Sequence, residues 1–190
     1  MKKEEFDAIR AEALRLSAKK VNTEFGLVPA SIPHLDSLIE GHPADDEFGR
    51  DALYSLLLSE CSMARNDEIY VYYLEKRCAE NRSDVVAIAD LGSVLSLMGP
   101  SKNESALLAA EKAVRMAKAQ NRLVRYCATN LARVALRLDN YDYLMVALRT
   151  LVDDAQNSRE EDTAFAFDFV SSIDLKRCDV VLLDKYKELA

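Results

Sequence analysis

Tryptophan is absent from this chain, and in 190 residues there are only five glycines, four prolines and two histidines. The low share of glycine and proline argues against a turn-rich fold and favours long uninterrupted helices. Both histidines, His34 and His42, fall in one proline-bearing segment near Asp36, Asp45 and Asp46. Their spacing matches no recurrent finger or helical metal pattern, so no metal site is expected. The four cysteines, Cys61, Cys78, Cys127 and Cys178, contain no C-x-x-C pair. They read as buried free thiols of a reducing compartment rather than as a disulfide frame or zinc ligands. G-x-S-x-G, H-E-x-x-H and phosphate-cradling glycine loops are also missing, which speaks against an enzyme and against a cofactor. No apolar run reaches the roughly 18 residues of a membrane span, and the opening "MKKEEFDAIRAEALRLSAKK" is charged throughout. A cytoplasmic protein is expected. A net charge of −7 argues against general nucleic-acid binding and against anionic membranes.

What is abundant points to helices. Residues 4–21 read as an amphipathic helix with Phe6, Ile9, Ala13 and Leu16 on one side. Residues 21–49 hold three of the prolines and three of the glycines, and read as a capping loop around a short helix near 33–40. From about Arg50 the text becomes helices separated by short breaks, paired as 50–64 with 67–80, 84–98 with 102–119, 122–138 with 140–155, and 160–176 with 179–189. Ser101 with Glu104 and Ser158 with Glu161 have capping-box spacing, and Ser83, Asp67 and Asp139 are candidate N-caps. The expected fold is all-α. It comprises an N-terminal helix and capping segment over 1–49 and a stack of about four helical hairpins over 50–190.

Gly92 breaks the helix rule, because a mid-helix glycine costs roughly 1 kcal/mol against alanine. It sits at the edge of the apolar face made by Val85, Ile88, Leu91, Val94, Leu95 and Met98. The next helix carries a seam of Ala106, Ala109, Ala110, Ala113 and Ala117. A glycine facing that seam predicts two helix axes at the short end of the usual range. The pattern also recurs: Leu91-Gly92 lies 40 residues before Leu131-Ala132, and "RLD" at 137–139 is echoed by "RCD" at 177–179. A repeat of that length indicates stacked helix pairs.

"IADLGSVLSLMG" followed by "ALLAAEKAV" resembles the tetratricopeptide repeat, and "NLARVALRLDNYDYLMVAL" resembles the next unit. The resemblance covers residues 84–155. It departs from that family in lacking large aromatic residues in the first helices and in its 40-residue spacing, against the usual 34. The resemblance implies a solenoid of helical hairpins whose first helices line a binding groove for a peptide or partner protein.

Helix 122–138 divides into an apolar side and a side holding Arg122, Arg125, Tyr126, Thr129, Asn130, Arg133 and Arg137. Between Lys112 and Arg149 eight basic residues face only Asp139 and Asp142. By the resemblance, the groove residues are Arg122, Tyr126, Asn130, Arg133 and Arg137, joined by Asp90 and Ser93 from the preceding unit. Arginine grips carboxylates bidentately, so the expected partner is a protein or peptide with an acidic segment. The alternative is a solvated helix face with no ligand. A different role, assembly as a homo-oligomer or structural subunit, would use "AFAFDFV", where Phe165, Phe169 and Ile173 share a face and Phe167 takes another.

Overall fold

The computed structural model describes residues 1–43, 45–157 and 170–188. The expected capping pair Ser158–Glu161 and the aromatic run Phe165, Phe167 and Phe169 lie outside the described residues. Nine α-helices and one two-stranded sheet occur among the described residues, so the fold is mostly helical. The chain divides into two compact units, Met1–Arg77 and Cys78–Ala190.

In the first unit α1 (Lys3–Ser17) ends four residues before the sequence pattern suggests, because Lys20 begins a strand. Strands β1 (Lys20–Thr23) and β2 (Gly26–Pro29) pair antiparallel, with Thr23 opposite Gly26. A hairpin therefore stands where a loop was expected. Gly26 permits the tight reversal through a positive φ of 84°. Helix α2 (Ser31–Gly41) packs on α1 and on α3 (Glu47–Met63), which is followed by α4 (Asp67–Glu80). The core joins Ala13, Val28, Ile32, Leu35, Ile39, Leu53, Leu57 and Ile69. Helix α3 packs on α2, and the Arg77 guanidinium near the end of α4 reaches Asp51 and lies over the Tyr54 ring near the start of α3, so α3 and α4 run antiparallel.

The second unit holds α5 (Val85–Leu95), α6 (Asn103–Gln120), α7 (Val124–Arg137), α8 (Tyr141–Asn157) and α9 (Val180–Glu188). Helices α5 and α6 run antiparallel, since Gln120 at the end of α6 donates to the Ser83 carbonyl before α5. Helices α7 and α8 do the same: Arg125 near the start of one pairs with Asp154 near the end of the other, at 3.1 Å. Helix α7 also packs along both α5 and α6. A Cβ added at Gly92 would stand 2.9 Å from the Ala106 carbonyl oxygen and 2.9 Å from the Ala110 nitrogen. The α5 backbone thus touches the α6 backbone, and Ala106, Ala110, Ala113 and Ala117 are fully buried along that seam.

Three helix starts differ by one residue from the capping expectation. Asp84 rather than Ser83 caps α5, accepting from the Ala87 amide at 3.0 Å. Asn140 rather than Asp139 caps α8, accepting from Tyr143 N–H. Asp139 has a φ of 55°, whereas an N-cap needs extended backbone. Asn66 takes the same role before α4 in place of Asp67. A 3₁₀ turn over Pro100–Lys102 replaces the Ser101–Glu104 capping box, and α6 starts with no side-chain cap. The expected helix 160–176 does not reach its predicted end, because residues 170–172 form a single 3₁₀ turn and non-helical chain follows to α9.

Candidate functional site

The residues singled out from the sequence fall on two neighbouring helices of the second unit, with Arg122 in the turn before one of them. Cys127 lies beside the Val85 carbonyl, the Tyr126 hydroxyl donates to Asp90 Oδ1 at 2.6 Å, and Arg137 Nη1 donates to the Ser93 carbonyl at 3.2 Å. The bonded positions rise together along both helices, so α7 lies parallel to α5. The α7 row of Tyr126, Asn130, Arg133 and Arg137 faces the α5 row of Asp90, Ser93 and Ser96. Spacings of three and four residues place each row on one helix face.

Several of these groups are already committed. Arg137 also donates to the Ser96 hydroxyl, and Ser96 is the C-cap residue of α5. Its guanidinium therefore serves the carbonyl end of that helix, where cations and donors are favoured. Arg177 repeats the arrangement 40 residues on, bonding the side chain and carbonyl of Asp139 just past the end of α7. That guanidinium also stacks 4.0 Å from the centre of the Tyr141 ring. The recurring Arg-x-Asp text is thus a structural tie between successive helical units. Sequence reading noticed the echo but gave Arg137 either to a ligand or to a solvated face, not to a tie between helices.

Arg125, on the basic side of α7, is half-buried and ion-paired with Asp154. Arg122 is exposed at the turn before α7. Arg133 and Ser93 are half-buried. Thr129 and Asn130, counted with the polar side, are 6% and 7% exposed and so belong to the interior. The Asn130 Nδ2 is a buried donor with no hydrogen-bond partner among the described residues. The amide lies beside the Tyr126 hydroxyl without reaching bonding geometry.

Burial raises the Asp90 carboxyl above its ordinary range, against the opposing pull of the Tyr126 hydroxyl, and Asp84 adds a like charge. Burial likewise raises the Tyr126 phenol, reinforced by its bond to Asp90. The phenol keeps its proton and donates it to Asp90 Oδ1. The thiol of Cys127 is fully buried and pushed up to about 12 by desolvation, which leaves it unreactive at neutral pH.

Sequence reading missed one polar cluster, in the first unit. Glu60 on α3 is 4% exposed, and its Oε2 accepts from Ser17 Oγ and Ser31 Oγ, each at 2.5 Å. One carboxylate thereby fastens the end of α1 to the start of α2. Its signal in the sequence was only a glutamate at an apolar position of α3, between Leu57 and Cys61.

No group of three or more His, Cys, Asp or Glu side chains suited to a metal ion occurs among the described residues. No helix among them is long and apolar enough to cross a membrane. No model of a known protein family matches the chain, nor does any curated protein or solved structure.

Proposed function

We propose that this protein is an interaction module, and that the α5–α7 face of its second unit binds a partner protein or peptide through an acidic, extended segment. Helices α5–α6 and α7–α8 would then be consecutive units of a tetratricopeptide-type stack. What supports this is the parallel seating of α7 on α5 and the close glycine–alanine contact within the first hairpin. The observation that carries the functional reading is Asn130. A buried donor left without an acceptor costs roughly 1–3 kcal/mol, and here it stands between Tyr126 and the Arg133 position on one helix face. Arg122, exposed at the turn before α7, supplies positive charge and a forked donor for a carboxylate. A rigid pair of helices holds these groups in place, so little conformational entropy is lost on binding.

The test is titration of a fluorescent peptide of alternating glutamate and glycine. Arg122→Glu should weaken binding by roughly tenfold or more, in line with the loss of a charge-assisted hydrogen bond, while circular dichroism stays unchanged. Equal affinity in the variant removes this face from the reading. Arg133 and Arg137 are the wrong choices for that test, because both are already engaged within the protein and their loss would confound affinity with stability.

Self-association is a second reading, favoured by the exposure of Leu175, Val180 and Val181 at and before the start of α9. Sedimentation at increasing concentration tests it. A monomer at all concentrations rejects it, and a dimer broken by Val181→Asp supports it.

A further inference from the structure

Asn130 and Tyr126 stand one helical turn apart on α7, yet they lie at different depths. Tyr126 is 39% exposed and Asn130 only 7%. The tyrosine is the outer of the two, its hydroxyl beside the amide. It is held there from the neighbouring helix, by donation to Asp90 at 2.6 Å. The amide beneath has no acceptor among the described residues. This combination is poorly suited to a purely structural role. A leucine at 130 would fill the space without an unmet donor, and the Asp90 carboxylate is kept partly desolvated to hold the tyrosine.

We propose that the Tyr126–Asp90 hydrogen bond is a latch over Asn130, and that an incoming acidic peptide binds by displacing Tyr126 so that one of its carbonyl groups accepts from the Asn130 amide. This rests on the reading of the α5–α7 face as the peptide site and adds to it a closed state and a specificity-determining donor. The closed state is strained by the unmet donor, and binding relieves that strain. The latch bond must be broken first, so closure lowers the apparent affinity by the fraction of molecules that are open.

Two readouts separate the latch from the identity of its occupant. The first needs no ligand: broadening of the Asn130 side-chain amide resonance by a soluble gadolinium chelate. Wild type should be shielded, Tyr126→Ala fully reached as the open reference, and Tyr126→Phe, which keeps the ring but lacks the hydroxyl, reached to an intermediate degree. The second is affinity for the glutamate–glycine peptide, which Tyr126→Phe should raise by roughly three- to tenfold. Adding Asn130→Ala to Tyr126→Phe should abolish that gain. Asp90→Asn, which still accepts from the phenol, should stay close to wild type in chelate access. A Tyr126→Phe protein as shielded as wild type overturns the latch, even if the peptide binds and the site reading stands. Chelate access in Tyr126→Phe with no peptide binding to either protein supports the latch but overturns the acidic peptide as its occupant. A gain in affinity that survives Asn130→Ala overturns Asn130 as the hidden donor.

Discussion

At the scale of single residues, burial decides what each polar side chain can do. Asp90 has its carboxyl raised above 3.8, mainly by desolvation. The folded state therefore holds this proton more tightly than the unfolded chain does. That favours folding in acid, below the unfolded carboxyl range, and the contribution is lost as pH rises through the folded value. Asp90→Asn removes the ionisation and keeps an acceptor for Tyr126. Chemical denaturation across pH should show its stability gaining on wild type between acid and neutral solution. The opposite trend would mean that the Tyr126 bond outweighs desolvation. Glu60 makes a different case, because two serine hydroxyls depend on it. Glu60→Ala should cost about 2–4 kcal/mol and Glu60→Gln about half of that or less, measured by urea unfolding. Neither burial was legible beforehand. Side-chain type does not reveal which glutamate or asparagine will be covered, and the wheel placed Asn130 with the solvent side of α7.

At the scale of elements, the glycine in α5 separates local preference from packing. Gly92→Ala improves helix propensity by roughly 1 kcal/mol. Its new methyl, however, would meet two α6 backbone atoms at 2.9 Å, and backbone cannot turn aside as a side chain can. Net destabilisation of about 1–3 kcal/mol is expected from thermal or urea unfolding. A more stable variant would show that the two helices separate readily. This contact was readable in advance because glycine and a row of alanines mark a close approach whatever surrounds them. Helix starts were less readable. Aspartate, asparagine and serine cap equally well, so residue type could not choose Asp84 over Ser83, and a positive φ is what bars Asp139 and leaves the role to Asn140. The β1–β2 hairpin escaped notice because strands of four residues are too short for alternation to show. The arginine ties also act between elements. Arg137→Ala should lower stability by roughly 1 kcal/mol through loss of the α5 carbonyl end, with a parallel loss at the α9 side for Arg177→Ala. Hydrogen exchange at Ser96 and Asp139 would locate each effect, and unchanged exchange would reduce the ties to surface contacts.

At the scale of the whole molecule, charge is unevenly distributed: the chain carries −7, while residues 112–149 hold eight basic and two acidic side chains. Part of that excess is spent internally, Arg125 on Asp154 and Arg137 on α5. Binding of the glutamate–glycine peptide should weaken several-fold as salt rises from about 0.05 to about 0.3 M, because the screening length shrinks from about 14 Å to about 6 Å over that range. Affinity indifferent to salt would argue for an apolar occupant. Helical class and the α5–α6 seam followed from the sequence by itself, since periodicity, scarce glycine and small residues at regular spacing act locally and along one helix pair. Tertiary structure alone decided that Arg137 is a tie, that Asn130 is hidden, and that α3 seats on α2. Each of these depends on which groups from distant positions exclude water from one another, and that is a property of the assembled chain.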